Sequence, residues 1–171
     1  MANTHTLIQS VTVGSAGAAS IEFGSIPQTY TDLMLVVSGR SVYAANATAI
    51  YMRFNNDTGT NYSRRRLHGS GSSVLNGSST DNSLIMSVFL DGASSTASVF
   101  SNASVYIPNY AGSTQKSVST DSATENNATE AYTTFQASLW TGTAAITSIT
   151  ILGDADFAQY TSASLYGIKN S

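Results

Sequence analysis

Apolar side chains occupy every second position in many short runs of the chain, and this pattern constrains the fold more than any other feature. A period of two places alternate side chains on opposite faces of a β-strand, whereas an amphipathic helix needs a period of 3.6. Ala49–Phe54 and Thr133–Trp140 are clear examples. No stretch keeps the helical period over three turns. The pattern therefore predicts an all-β protein.

The composition favours the same class. Ser and Thr account for 49 of the 171 residues, whereas Lys and Glu, which are typical of surface helices, number five. Hydrophobic residues make up 42 % of the chain, which is enough for a core and excludes the low hydrophobicity of a disordered chain. Residues 1–171 have a length that suits one domain. The short, regular spacing of the runs predicts a β-sandwich or barrel of about ten strands.

Charge and hydropathy argue against several classes of partner. The net charge of −3 and a pI near 5.1 provide no positive field that could hold nucleic acid. The apolar runs are far shorter than the roughly 20 residues of a membrane span, so we expect no membrane association. The N-terminus has neither the basic nor the apolar region of a secretory signal. We therefore expect synthesis in the cytoplasm.

Three segments allow local predictions. Ala49–Phe54 and Asn61–Leu67 flank the turn-forming residues Asn55–Gly59, so we expect them to pair as a hairpin. Residues 68–83 are almost all Gly, Ser, Asn and Asp, which predicts a long surface loop. Gln115–Asp121 is polar on both faces, which favours an edge strand.

Neither catalysis nor a bound metal is expected. His5 and His68 are the two histidines, and no Gly-x-Ser-x-Gly elbow accompanies them. Asp154 with Asp156, and the turn Asn55–Asp57, offer oxygen ligands. Calcium needs six to eight such ligands, and turns rich in Asn and Asp mostly cap their own backbone. We therefore predict a protein without enzymatic activity or cofactor.

Arg64, Arg65 and Arg66 form the one cluster of charge in an otherwise neutral chain. On a strand, Arg64 and Arg66 share one face and Arg65 takes the other. One interpretation is a solvated edge strand whose charge protects against aggregation. The other is an ionic contact with a neighbouring subunit or an acidic capsid surface, for which Arg is well suited.

The aromatic residues raise the possibility of sugar binding. Trp140 ends a strand whose other face carries Phe135, Ala137 and Leu139, and we expect that stripe to face the core. Trp140 would then point outward and could stack on a pyranose ring or anchor a partner protein, and Tyr110 is a second candidate for such a platform. The alternative is that Trp140 packs beneath a loop.

Five segments of the sequence resemble those of a known protein family, and together they extend over essentially the whole chain. The chain resembles a family of small virion proteins of tailed bacteriophages from aquatic bacteria, including cyanophages. The segments that carry this resemblance are Met1–Val13, Ser25–Leu33, Tyr106–Lys116, Glu125–Thr129 and Leu165–Ser171.

The resemblance implies a structural protein of the virion, with capsid decoration as the leading function. Decoration proteins of this size are often trimeric jelly rolls. The expected partner is the major capsid protein, and the expected place is the outer surface of the head. The alternative is a tail-fibre or lectin-like domain that recognises a host glycan. Fibres usually begin with an attachment segment, whereas this chain begins with a predicted strand near residue 6.

Overall fold

A computed structural model describes residues 4–127 and 130–169, with the backbone alone for residues 81 and 82. The prediction of an all-β sandwich is confirmed, because the described part contains two antiparallel sheets and no helix. Its twelve strands exceed the predicted number of about ten. The strands are β1 His5–Thr12, β2 Ala18–Phe23, β3 Asp32–Gly39, β4 Ala47–Phe54, β5 Tyr62–Gly69, β6 Val74–Asn82, β7 Val88–Asp91, β8 Ser101–Ile107, β9 Lys116–Thr124, β10 Tyr132–Trp140, β11 Ile149–Phe157 and β12 Ser162–Ile168.

The two sheets differ in size. One has eight strands in the order β1-β12-β3-β8-β9-β10-β5-β6, and the other has four in the order β2-β11-β4-β7. The core lies between them and is built from alternating residues of both sheets. Leu33, Leu35 and Val37 of β3 and Ile50 and Met52 of β4 are fully buried. Burial of each such side chain contributes about 1.5–3 kcal/mol.

Two hairpins widen the larger sheet. The hairpin β5–β6 lies in sequence between β4 and β7, and the hairpin β9–β10 lies between β8 and β11. The hairpins join through β5 and β10, which pair from Tyr62 with Trp140 to Gly69 with Thr133. We call the strands β9, β10, β5 and β6 the extension, and the other eight strands the framework.

The predicted loop over residues 68–83 is wrong, because most of this segment is the strand β6. The strand pairs with β5 in regular register, for example Gly77 with Arg66. Its side chains are mainly exposed on both faces, so its sequence lacks the alternation that marks a half-buried strand. The pairing with β5 holds it extended. The turn between the two strands uses Gly71 at φ +83°, a conformation that glycine adopts without strain.

The predicted hairpin around Asn55–Gly59 is also wrong. The strands on either side belong to different sheets, since β4 pairs with β11 and β7 whereas β5 pairs with β10 and β6. The turn residues therefore carry the chain from one sheet to the other. Asn55 and Asn56 adopt positive φ there, which Asn tolerates better than most residues. The strand β9, predicted at an edge, lies inside the sheet between β8 and β10.

Candidate functional site

The extension reverses the usual polarity of a sandwich. On β10, the side chains that face the interior are Thr134, Gln136 and Ser138, all buried. Phe135, Ala137 and Leu139 point outward, and Phe135 is 62 % exposed. Tyr132 and Trp140, at the two ends of the strand, share the inner face. The predicted core stripe of this strand is therefore wrong, because strand parity separates the two faces without saying which of them is covered.

Phe135 belongs to a small apolar patch on the outer face of the extension. It pairs across the strands with Leu67, which is 51 % exposed, and Ala137 pairs with Arg65. These four residues border one shallow groove, whose rim includes Asn76 and Ser119. We call Arg65, Leu67, Phe135 and Ala137 the outer patch. An exposed aromatic ring beside an arginine is the composition that protein–protein interfaces favour.

The three arginines separate as strand parity predicts. Arg65 is exposed on the outer face, where its guanidinium donates to the carbonyl oxygen of Arg64 (2.9 Å). Arg66 points inward, donates to the carbonyl oxygen of Ser87 (3.4 Å) and lies over the ring of Phe89, 5.4 Å from its centroid. The interpretation as a solvated edge strand is wrong, because β5 is paired on both sides. Of the three, Arg65 is the exposed one, whereas Arg64 and Arg66 are half-buried.

Trp140 is buried, with 3 % of its surface exposed. Its Nε1–H donates to the carboxylate of Asp57 (2.8 Å), and its ring meets Phe54 edge-on at 5.6 Å and stacks at 6.4 Å on Tyr62. A Cβ added to Gly142 would lie 2.3 Å from the indole, so the loop after β10 covers the ring closely. Of the two interpretations of Trp140, packing beneath a loop is therefore correct and the outward orientation is wrong. The indole offers no face to a sugar.

Tyr110, the second candidate for sugar stacking, lies in the loop that joins β8 to β9 and is fully buried. Its hydroxyl donates to the carbonyl oxygen of Pro27, and its own carbonyl oxygen accepts from the backbone N–H of Ile146 (2.9 Å). The residue thus ties three segments of the chain together. Neither residue of the proposed platform is available for stacking.

Two cations, the buried Lys116 and the half-buried Arg40, are held by backbone carbonyl oxygens. Lys116, 1 % exposed, donates to the carbonyl oxygens of Gly112 (2.7 Å), Thr114 and Ala144 (3.1 Å). The guanidinium of Arg40 donates to four carbonyl oxygens between residues 93 and 99, at 2.8 to 3.5 Å. Each cation therefore fixes a loop that has no regular secondary structure.

The two histidines lie far apart in the strand order. His5 is exposed on β1 at one edge of the larger sheet, whereas His68 lies in the extension. The ring of His68 is buried and contacts Phe89 and Tyr132 edge-on, at 5.8 and 5.7 Å. Burial and the nearby charge of Arg66 lower the pKa of His68 below its usual value. Both effects disfavour the protonated imidazole.

Two of the candidate metal ligands, Asn55 and Asp154, accept hydrogen bonds from neighbouring segments of the chain. Asn55 Oδ1 accepts from the backbone N–H groups of Thr147 (2.8 Å) and Ser148 (3.2 Å). A carboxylate oxygen of Asp154 accepts from the Thr48 hydroxyl (3.1 Å) and the Ala49 N–H (3.2 Å). Within residues 4–127 and 130–169, no three His, Asp or Glu side chains come close enough together to hold a metal ion.

Comparison with known proteins leaves the family open. No protein-family model matches the chain, and no curated protein is significantly similar to it. In the described part of the chain, no helix is long and apolar enough to cross a membrane.

Sequence reasoning missed Phe135 and Leu67 because exposed and buried apolar residues look alike in a linear pattern. One signal was present. The opposite face of the same two strands carries Gln136, Arg64 and Arg66, so neither face could be read as an ordinary core face. A strand with polar groups on one face and aromatic groups on the other has two possible orientations, and the sheet in which it lies decides between them.

Proposed function

We propose that the protein decorates the outside of a bacteriophage head, where it binds the major capsid protein and stabilises the shell. The observation that carries this proposal is the outer patch, which places Phe135 and Leu67 in water on the outer face of a sheet. Soluble proteins expose contiguous apolar groups mainly where they bind partners. A contact that depends on packing suits a chain with only 10 % charged residues.

The strand order supports the same proposal. We infer that the framework is a jelly roll, with sheets β1-β12-β3-β8 and β2-β11-β4-β7. Successive framework strands alternate between the two sheets, except that β4 and β7 are neighbours in the smaller one. Jelly rolls are frequent in viral capsid proteins and in lectins. The extension is then an addition to an eight-stranded jelly roll, a fold that many proteins share. The outer patch lies on that addition, where a protein-specific contact is expected.

The first test is the copy number of this chain in purified virions. Decoration requires hundreds of copies for each head, in a fixed ratio to the major capsid protein, and quantitative mass spectrometry of purified particles measures that ratio. A ratio equivalent to a few tens of copies would contradict decoration and favour a fibre or another tail component. Virions that lack the chain should rupture at lower temperature or weaker osmotic shock while adsorbing at the normal rate.

The second test uses variants of the outer patch. Phe135→Ser and Arg65→Ala should fold normally and bind less well to heads that lack this chain. A central aromatic residue of an interface contributes about 2 kcal/mol or more, so Phe135→Ser should weaken binding about thirty-fold. The matched control is Val36→Ser, which removes a 41 % exposed apolar side chain from the same outer face but outside the extension. Equal effects of Phe135→Ser and Val36→Ser would refute the outer patch as the contact.

The proposal includes self-association into a homotrimer. The neutral surface provides little electrostatic repulsion between copies, and the strands β1 and β6 leave both edges of the larger sheet unpaired within the described chain. Light scattering at micromolar concentration should give the mass of three chains. The mass of one chain would contradict this part of the proposal.

A further inference from the structure

Five buried side-chain atoms on the inner face of the extension have no hydrogen-bond partner among the residues that the structure describes. They are His68 Nδ1, Thr120 Oγ1, Ser122 Oγ, Thr134 Oγ1 and Gln136 Oε1. All five residues belong to the adjacent strands β5, β9 and β10. We call them the inner seam.

The register of the strands brings the five groups together. Thr134 pairs with His68 on one side and with Ser122 on the other, and Gln136, two positions along on the same face, pairs with Thr120. Neighbours of this kind have Cβ atoms about 4.5–5.5 Å apart. Hydroxyl groups at this spacing can bond directly, as those of Ser10 and Ser164 do across β1 and β12 (2.9 Å). The five atoms of the inner seam make no such bond, although they lie close enough together for one bridging molecule to reach two of them.

A segment of the other sheet covers the inner seam. Gln136 Nε2 donates to the carbonyl oxygen of Ile85 (3.0 Å), and the hydroxyl of Thr124 donates to the carbonyl oxygen of Phe89 (3.0 Å). Residues 85–89 therefore lie over the seam and separate it from bulk solvent. Five unpaired polar atoms in such a place would cost a free energy comparable with the entire stability of a domain.

We propose that the inner seam is a binding site for water. A buried water molecule typically makes about three hydrogen bonds, so about two molecules satisfy the five atoms. Gln136 Oε1 can only accept a hydrogen bond, so the ligand must donate, which water does and a simple anion does not. A cation is disfavoured, because the guanidinium of Arg66 points inward from the position beside Gln136.

Bound water gives a physical basis for the reversed polarity of the extension. The inner face carries hydroxyl, amide and imidazole groups because water, held between them, completes their hydrogen bonds. Phe135, Ala137 and Leu139 of β10 are then free to face outward. This inference does not depend on capsid binding, because it concerns the interior of the isolated protein.

The test is magnetisation transfer from water in NMR spectra of the isolated protein. Water that stays longer than about a nanosecond gives NOE and ROE cross-peaks of opposite sign, and we expect such pairs at the amides of Ser122, Thr134 and Gln136. Thr134→Val removes one hydroxyl while keeping the shape, so it should abolish these cross-peaks and lower Tm. The matched control is Thr133→Val on the exposed outer face of the same strand, which should leave both unchanged.

Two results would overturn the proposal. If the wild type gives no water cross-peaks at these amides and Thr134→Val raises Tm, the seam is dry, and its hydroxyl groups are merely tolerated. If amide shifts in the seam move when sodium or potassium is replaced by choline, the ligand is a monovalent cation. Since a misfolded variant is identified by its amide spectrum, the wild-type cross-peaks decide the matter even if Thr134→Val fails to fold.

Discussion

The carboxylate of Asp57 is the polar anchor of the only tryptophan, and replacing it by an amide should weaken the fold in a measurable way. The carboxylate accepts from Trp140 Nε1 (2.8 Å), from the side-chain amide of Asn61 (2.9 and 3.1 Å) and from the backbone N–H of Gly59 (2.9 Å). In the variant Asp57→Asn, the new side chain keeps one acceptor oxygen and turns an NH₂ group toward the remaining donors. The substitution therefore removes some of these bonds and converts the rest from charged to neutral.

The magnitude follows from these contacts. A hydrogen bond to a charged group contributes about 1.5–3 kcal/mol and a neutral one about 0.5–1.5 kcal/mol. Because Asp57 is partly exposed, water compensates for part of the loss, and we expect Asp57→Asn to lower the free energy of unfolding by about 2 kcal/mol. For a chain of this size, that corresponds to a Tm lower by about 4–8 °C. Urea unfolding followed by Trp140 fluorescence measures the change directly.

The pH dependence gives an independent check. Burial raises the pKa of Asp57, but the hydrogen bonds from Trp140, Asn61 and Gly59, together with the charge of Arg53, outweigh it, so that the pKa lies below its usual value of 3.8. The stabilisation is therefore present above pH 3.8 and is lost as the pH falls through the lower pKa of the folded state. The stability difference between the wild type and Asp57→Asn should stay constant from pH 7 to about pH 4 and shrink below it.

The control is Asp121→Asn, which also removes one negative charge. The carboxylate of Asp121 is exposed and accepts a hydrogen bond from the hydroxyl of Ser104 (2.7 Å). We expect its stability to lie within about 0.5 kcal/mol of the wild type. The reasoning would be refuted if Asp57→Asn were no less stable than Asp121→Asn at pH 7. A difference that persisted unchanged to pH 2 would also refute it.

Three further predictions concern the interior. Arg66→Met should lower the free energy of unfolding, measured with urea, by about 1–2 kcal/mol because the hydrogen bond to Ser87 is lost. Arg65→Met should change it by less than about 0.5 kcal/mol. Equal losses would contradict the placement of the two side chains. Lys116→Met leaves three carbonyl oxygens without their charged donor and should cost about 3 kcal/mol or more in thermal unfolding. His68→Phe keeps an aromatic ring but does not titrate. Because the folded-state pKa of His68 lies below 6.5, the wild type should lose stability as the pH falls below 6.5, and the variant should not show that loss.

The period-two pattern predicted the class of the fold because alternation in strands such as β4 reflects one covered face. Its failures have a common cause. The described side chains of β6 are mainly exposed on both faces, and the outward apolar side chains of β10 face water. In both cases the neighbours of the strand, rather than its own residues, decide which face is buried. Those neighbours come from distant parts of the chain, as the pairing of β5 with β10 illustrates.

The candidate site shows the same limit at the level of single residues. The arginine cluster pointed to β5, and parity predicted that Arg65 separates from Arg64 and Arg66. Phe135, the other half of the outer patch, is distant in sequence and becomes a neighbour of the arginine strand only through the pairing of β5 with β10. For Trp140 the sequence left two orientations open, and its hydrogen-bond acceptor, Asp57, lies in the distant turn that joins the two sheets. Long-range pairing of this kind leaves no local signal.

The carbonyl oxygens that hold Lys116 and Arg40 have a consequence for the conditions that the protein can withstand. A salt bridge fails when acid protonates its carboxylate, whereas a peptide carbonyl keeps its lone pairs at every pH at which a protein remains intact. The loops bound by these two cations should therefore stay closed in moderately acidic media. The contacts of the buried Lys116 are also screened much less by dissolved ions than surface charges are. The same loops can thus keep one conformation over a wide range of salt concentration and pH.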